Sequence, residues 1–174
     1  FTEKLENAVS AVDAPSGGVP GEFFGTELQL GRGFPLSESV MFKVEAPSLT
    51  SEEKPPRYYW RGRVYDYFSA GQWYITGAEA EEYSPLEGGP SLPNTEERDP
   101  RPFNFEVGDS RFGLLYAPSQ TVWFSRPGSF LASPAGTDKD IYSWKASPSL
   151  LPGETYQVQA VLSNPNIEQL REAG

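Results

Sequence analysis

Glycine and proline set the strongest limit on what this chain can fold into. There are 17 glycines and 17 prolines among 174 residues, and both residue types are unfavourable inside helices. Interruptions this frequent leave little room for long helices. Aromatic residues make up a further 14% of the chain, and they favour strands. The composition therefore predicts a β-rich fold.

Short segments of alternating apolar and polar residues agree with this prediction. Apolar side chains occupy every second position along 156–162, 40–44 and 103–107, which is the period of a half-buried strand. Shorter candidates, each bounded by proline, glycine or serine, cover 114–116, 121–124, 130–132 and 141–145. Strands at roughly ten-residue spacing predict an all-β, β-sandwich-like domain over residues 21–163.

The longest strand signal covers residues 57–68 and continues through a tight connection into 72–76. We expect one face of this strand to enter the core, carrying Tyr58, Trp60, Gly62, Val64, Asp66 and Phe68. We expect the other face to be half-exposed and to carry a ladder of aromatic and basic side chains: Tyr59, Arg61, Arg63, Tyr65 and Tyr67.

Two glycines in this region carry structural predictions. Residues 69–71 are expected to form a three-residue hairpin connection in which Gly71 supplies a positive φ. Trp73 then returns to the core face. A glycine weakens the middle of a strand, so Gly62 predicts a close neighbour, with Trp60 or Trp73 as candidates.

Three segments are not expected to be strands. Residues 79–102 hold seven acids and five prolines, which predicts a long solvated loop. Residues 164–174 open a short C-terminal helix, with Asn164 as cap and Pro165 in the first turn. We expect this helix to continue past Gly174 toward a further domain. Residues 1–20 are expected to be a linker or short helix.

The ionisable residues exclude several classes of function. With 14 Lys and Arg against 24 Asp and Glu, the net charge is −10, which argues against nucleic-acid binding. The chain contains no histidine and no cysteine. It therefore cannot build a Ser-His-Asp or Cys-His nucleophile, or a Cys/His zinc, haem or iron–sulfur site. The kinds of site that remain possible are a pair of catalytic carboxylates, a Ser-Lys pair, an oxygen-ligand cation site, or no catalytic site at all.

The segment 59–68, with sequence YWRGRVYDYF, and the following Gly71-Gln72-Trp73 resemble a signature of membrane-anchored bacterial transglutaminase-like proteins of the TgpA type. The matching structural positions are Trp60, Gly62, Asp66, Gly71 and Trp73. The likeness extends less specifically over residues 27–174. Where the family often has an Asp-Gly turn, this chain has Ser69-Ala70-Gly71.

The resemblance implies a β-rich domain on the extracytoplasmic face of the bacterial membrane, anchored through segments outside this chain. In the family such a domain precedes a papain-like core with a Cys-His-Asp triad. No position here can carry that cysteine or histidine, so the core is expected downstream. The resemblance thus implies a non-catalytic domain whose partner is that core, with no cofactor and no metal.

Other candidate sites have simpler explanations. Ser51 to Lys54 match the S-x-x-K spacing of Ser-Lys acyl enzymes, but Pro55-Pro56 leaves no room for the supporting helix. Paired carboxylates of a hydrolase are a weak third option, and Asp66 is better explained as a hydrogen-bond acceptor in the hairpin or a partner of Arg61 or Arg63. Two acidic groups have oxygen ligands for Ca²⁺ but read as solvated turns: Asp138/Asp140 and Glu79/Glu81/Glu82.

The interleaved tyrosines and arginines suggest an interaction surface, since Tyr and Arg are enriched in protein interfaces. Our candidate interface consists of Tyr59, Arg61, Arg63, Tyr65 and Tyr67. Exposed aromatic rings also stack on sugars, so a carbohydrate-binding module of the cell envelope is the alternative. The sequence therefore predicts a scaffold or interaction domain.

Overall fold

The computed structural model describes residues 27–29, 38–47, 58–92, 100–133, 139–162 and 171. Eleven strands and one short 3-10 helix, Pro85–Glu87, lie within these residues. The strands are β1 (Glu27–Gln29), β2 (Phe42–Glu45), β3 (Tyr67–Ser69), β4 (Gln72–Tyr74), β5 (Glu79–Tyr83), β6 (Arg101–Val107), β7 (Phe112–Leu115), β8 (Thr121–Phe124), β9 (Gly128–Ala132), β10 (Ile141–Leu150) and β11 (Thr155–Ala160).

These strands form three antiparallel sheets. The front sheet has the order β2-β6-β11-β8, and the back sheet has the order β5-β9-β10-β7. A small third sheet has the order β1-β4-β3. The front and back sheets enclose a common core, so the predicted all-β, sandwich-like fold is confirmed.

The core consists largely of aromatic rings from the two large sheets. Phe105 on β6 stacks on Tyr156 of the neighbouring β11, with ring centroids 4.7 Å apart. Phe124 on β8 contacts Trp144 on β10 at 4.6 Å, which joins the front sheet to the back sheet. Large rings bury much apolar surface per residue, so contacts of this kind favour the folded state.

The alternating segments became strands as predicted. Along β6 the side chains of Phe103, Phe105 and Val107 are buried while their neighbours face solvent. Strand β11 shows the same alternation, with Tyr156, Val158 and Ala160 buried. One face of each strand therefore covers the core, and the polar face remains in water.

The prediction of one continuous strand over 57–68 was wrong. Among the described residues of this range, 58–68, only Tyr67 and Phe68 belong to a regular strand, while Arg61 and Arg63 form isolated bridges to two different partners, Ala117 and Ser143. A segment that leaves one partner for another cannot keep the register of a single ladder. The predicted assignment of side chains to a core face and an exposed face is therefore correct only at the start of the segment.

The prediction of a loop over 79–102 was also wrong in its first part. Glu79–Tyr83 is strand β5, paired with β9 along its whole length. It is an edge strand of the back sheet, and charged side chains at an edge hinder pairing with other chains. Its buried residue is Tyr83, whose ring enters the core and anchors the strand. The acidic composition of the segment therefore obscured a strand in the sequence.

Several predictions fall on residues outside the described ranges. These are the segment 1–20, the S-x-x-K match at 51–54, residues 93–99 of the acidic segment, and Asp138. The predicted helix 164–174 is also outside them, apart from Arg171, which is helical. Within the described ranges, no helix is both long and apolar enough to cross a bilayer.

Candidate functional site

The hairpin β3–β4 turns through two residues rather than the three that we predicted. Ser69 pairs with Gln72, so Ala70 and Gly71 alone form the connection. Both have positive φ, 49° and 79°, as in the type I′ turns that suit the twist of a β-hairpin. The predicted positive φ of Gly71 is confirmed, while Ala70 occupies a conformation that L-residues rarely adopt.

The hairpin displays aromatic pairs on both of its faces. Phe68 lies opposite Trp73, with ring centroids 5.1 Å apart, and Tyr67 lies opposite Tyr74 at 6.3 Å. The exposed fractions are 47% for Phe68, 37% for Trp73 and 53% for Tyr67. The expectation that Phe68 and Trp73 face the core was therefore wrong. We call residues Tyr67–Tyr74 the aromatic hairpin.

This exposure follows from the position of the small sheet. No residue of β3 or β4 belongs to the buried core that joins the front and back sheets. The rings of the aromatic hairpin therefore pack mainly on each other across the strands, which secures the hairpin locally. Large apolar side chains remain available for contact with another surface.

Asp66 secures the base of the aromatic hairpin. Its carboxylate accepts hydrogen bonds from the Thr76 amide at 2.9 Å, the Thr76 hydroxyl at 3.1 Å and the Tyr142 hydroxyl at 3.0 Å. Desolvation acts to raise the pKa of Asp66, but these donors outweigh it and hold the pKa below its usual range. The predicted role as a hydrogen-bond acceptor is confirmed, and the bond to Tyr142 ties the hairpin to β10.

The segment 61–64 lies between the end of β7 and the start of β10. Arg61 exchanges two backbone hydrogen bonds with Ala117, at 2.8 and 3.1 Å. Val64 donates its N–H to the Tyr142 carbonyl at 2.8 Å. These bonds fix the path of the segment without making it a regular strand, and they satisfy backbone groups that burial would otherwise leave unpaired.

Gly62 has the close neighbour that the sequence predicted, but the neighbour is a different one. A Cβ on Gly62 would lie 2.9 Å from Cε1 of Tyr116 and 3.0 Å from Cδ2 of Leu114. We had expected Trp60 or Trp73. The absence of a side chain allows the segment to cross closely over the residues at the end of β7.

Trp60 and Tyr58 occupy the core side, as predicted for the start of the segment. The Trp60 ring meets Phe103 and Phe105 edge to face at 5.8 and 5.4 Å. Tyr58 stacks on Trp60, and its hydroxyl donates to the Pro47 carbonyl at 2.6 Å. Both rings extend the aromatic core over the front sheet.

The five candidate interface residues do not lie on one strand face. Tyr59 is 82% exposed, and Tyr67 belongs to the aromatic hairpin. Arg63 and Tyr65 are half-buried and hydrogen-bonded to each other. Burial raises the pKa of Tyr65, and the Arg63 charge partly offsets this. Arg61 is exposed and lines a cleft.

This cleft has a volume of about 500 Å³. The segment 61–66 forms one wall, residues 139–144 form the second, and residues 117–121 form the third. Trp144 and Leu92 also border it, although both are largely buried. Sequence reasoning missed the cleft because its walls meet only in the folded chain: Asp66 and Tyr142, which join two of them, are 76 positions apart.

The cleft lining carries charges of both signs, with Arg61 and Lys139 as cations and Asp66 and Asp140 as acids. Burial lowers the pKa of the Arg61 guanidinium, and the charge of the Asp140 carboxylate, which lines the same cleft, partly offsets this shift. Lys139 forms an ion pair with Glu81 of β5. Glu81 is thus engaged in the back sheet rather than in a solvated turn. The described residues hold no group of three or more acids arranged for a metal.

Comparisons of the chain with protein-family models, with curated proteins and with solved structures find no match. The resemblance of segment 59–73 to transglutaminase-like proteins thus enters the functional interpretation as a proposal.

Proposed function

We propose that this chain is a non-catalytic interaction domain of a transglutaminase-like membrane protein on the extracytoplasmic face of a bacterial cell. In this proposal it binds and positions the catalytic core of the same polypeptide. Support comes from the signature over 59–73 and from the absence of cysteine and histidine. In this proposal the chain provides a binding surface, and the catalytic core carries out the reaction.

The observation that carries this proposal is the exposure of the aromatic hairpin. Phe68, Trp73 and Tyr67 are large apolar or amphipathic residues, and each is more than a third exposed. Such residues are concentrated at the energetic centres of protein interfaces, because desolvating a ring removes much apolar surface from water. Phe68 and Trp73 share one face of the hairpin and Tyr67 lies on the other, so each face offers an exposed ring to a partner.

The way the hairpin is held also favours a docking role. Asp66 joins its base to β10 through Tyr142, and β1 pairs with β4 on its outer side. A surface that is already ordered loses less conformational entropy when a partner binds. The hairpin can therefore present its rings without refolding.

A binding experiment tests the proposal. The chain is titrated with the separately produced catalytic core of the full-length protein, and the dissociation constant is measured by calorimetry. The double substitution Phe68→Ser/Trp73→Ser is expected to weaken binding by about tenfold or more, since each ring contributes on the order of 1 kcal/mol or more at an interface. Neither side chain belongs to the core, so the fold should persist.

Leu151→Ser is the matched control, because Leu151 is 52% exposed in the β10–β11 connection, outside the small sheet. Unchanged affinity in this control, with a loss in the double variant, supports docking through the hairpin. Equal affinity of all three proteins contradicts it. Efficient amine transfer or peptide hydrolysis by the chain alone would contradict the non-catalytic part of the proposal.

A further inference from the structure

We propose that the cleft between residues 61–66 and 139–144 is a binding site for a neutral, hydroxyl-rich ligand, namely a short saccharide. This site is separate from the rings of the aromatic hairpin, and the inference does not depend on the docking role proposed for them. It rests on the size of the cleft, the balance of its charges, its mixture of donors and acceptors, and the rigidity of its walls.

The size of the cleft suits a small molecule. Its volume of about 500 Å³ lies within the ~300–1,000 Å³ typical of ligand sites. Val64, Ile141 and Tyr142, which are partly exposed, line it together with polar side chains. Apolar surface combined with a few polar groups is the usual composition of such sites, and it matches sugars, which carry C–H faces between their hydroxyls.

The charge balance favours a neutral ligand. Arg61 and Lys139 are the cations that line the cleft, and Asp66 and Asp140 are the acids. Asp140 lines the same cleft as Arg61, and Lys139 is paired with Glu81. An anion would have to compete with these carboxylates and approach a chain of net charge −10. A cation would meet the guanidinium and ammonium groups.

The polar groups of the cleft complement hydroxyls, which both donate and accept hydrogen bonds. The Arg61 guanidinium offers donors only, and the Asp140 carboxylate offers acceptors only. Tyr65 and Tyr142 add hydroxyl-bearing rings to the lining. A ligand that both donates and accepts hydrogen bonds can therefore use acceptors on the second wall and donors on the first, and charge-assisted hydrogen bonds are the stronger kind.

The walls of the cleft are held in place by the fold. The backbone bonds of Arg61 to Ala117 and of Val64 to Tyr142 fix the first wall. The Tyr142 hydroxyl, bonded to Asp66, links the first wall to the second. On the third wall, the Thr121 hydroxyl donates to the Pro118 carbonyl at 2.9 Å. A cleft fixed in this way pays little ordering entropy on binding.

The test is a nuclear magnetic resonance titration of the ¹⁵N-labelled chain with four probes. Maltotriose and cellotriose are the neutral saccharides. Trigalacturonate is an anionic saccharide of the same length, and N-acetyl-trialanine amide represents a neutral peptide. We expect one or both neutral saccharides to shift amide signals of 61–66, 117–121 and 139–144 at millimolar concentration. The anion and the peptide should leave these signals in place.

Two variants and a control locate the site. Arg61→Ala and Asp140→Asn should each weaken saccharide binding by about tenfold, the effect of losing one charge-assisted hydrogen bond. Both residues are exposed, and unchanged core signals verify the fold. Lys43→Ala is the control, since Lys43 pairs with Glu106 on the front sheet at 3.1 Å, away from the cleft residues.

Each outcome decides the inference. Cleft shifts with a neutral saccharide that diminish in the two cleft variants, but not in Lys43→Ala, support it. Four results overturn it: no cleft shifts with either neutral saccharide, cleft shifts only with the anion or the peptide, saccharide shifts confined to residues 67–74, or equal affinity in Arg61→Ala, Asp140→Asn and the unchanged chain. None of these four bears on the affinity of the hairpin for a protein partner.

Discussion

The hydroxyl of Tyr156 satisfies both backbone groups of Tyr116, donating to its carbonyl at 2.9 Å and accepting its N–H at 3.2 Å. Tyr156 lies on β11 of the front sheet, and Tyr116 directly follows β7 of the back sheet. The hydroxyl of Tyr83 on β5 likewise donates to the carbonyl of Phe124 on β8 at 2.9 Å and accepts its N–H at 3.1 Å. Two tyrosine hydroxyls therefore form hydrogen bonds that join the front sheet to the back sheet.

Removing one of these hydroxyls should weaken the fold. Tyr156→Phe retains the ring that stacks on Phe105 but leaves the N–H and carbonyl of Tyr116 without this partner. We expect a loss of about 1–3 kcal/mol in the free energy of unfolding, measured by urea denaturation. Tyr59→Phe serves as control, because Tyr59 is 82% exposed, and it should change stability little. An equal effect of both substitutions would contradict a role for the hydroxyl in closing the sheets.

The buried phenols also predict a loss of stability at alkaline pH. Burial raises the pKa of Tyr156 above its ordinary 10.0, and it raises the pKa of Tyr83 and Tyr116 in the same direction. In the unfolded chain these groups ionise near their ordinary pKa, while the folded chain keeps them protonated. Their stabilising effect is therefore complete below about pH 10 and declines as the pH rises above that value.

Urea unfolding between about pH 8 and pH 11.5 measures this decline. Tyr156→Phe should show a shallower fall than the unchanged chain over the alkaline part, because one titrating group is gone. A stability that stays constant or rises above pH 10 would be inconsistent with buried neutral phenols.

Gly62→Ala should destabilise the protein by about 1–3 kcal/mol, as overpacking does in tight sites. The new methyl group would lie 2.9 Å from Tyr116, whose ring is itself packed between Phe42 and Phe112. Thermal or urea unfolding measures the loss. In a Tyr116→Leu background the added cost of Gly62→Ala should fall by half or more. A cost that is fully additive would show that the crowding does not come from this ring.

Ala70→Asn should stabilise the protein by about 0.5–1 kcal/mol, because Asn tolerates the left-handed conformation better than Ala does. Ala70 has a φ of 49° in the two-residue turn. Ala78→Asn is the control, since Ala78 is not among the described residues with positive φ. The gain is measured by the unfolding midpoint in urea. A loss at position 70, or an equal gain at position 78, would argue against strain in the turn.

Local alternation was enough to predict most strands of the large sheets. Phe103 and Phe105 on β6, and Tyr156 and Val158 on β11, are apolar at every second position because one face of each strand covers the core. That period is a property of a few neighbouring residues, so it can be read from the sequence. The fold class follows from several such segments together.

The errors arose where tertiary contacts override local pattern. Residues 57–68 alternate regularly, yet Arg61 and Arg63 pair with different distant residues and break the ladder. In β5 the pattern was obscured by acids, and the strand exists because β9 offers a partner and Tyr83 an anchor in the core. Neither partner is visible in the segment itself.

The candidate site was predictable only in part. The signature drew attention to segment 59–73, and Tyr67 and Tyr59 are exposed as expected. The exposure of Phe68 and Trp73 depends on the small sheet lying outside the core, which no local pattern records. The cleft depends on contacts between residues far apart in sequence, such as Asp66 with Tyr142.

The most direct test of the proposed interaction role is to map the surface that meets the proposed catalytic core. The ¹⁵N-labelled chain is titrated with the unlabelled core proposed to follow it, and the amide signals that shift or broaden are recorded. We expect changes centred on residues 67–74, with the front-sheet strands β2 and β6 unaffected. No change in any signal, or changes confined to β2 and β6, would contradict it.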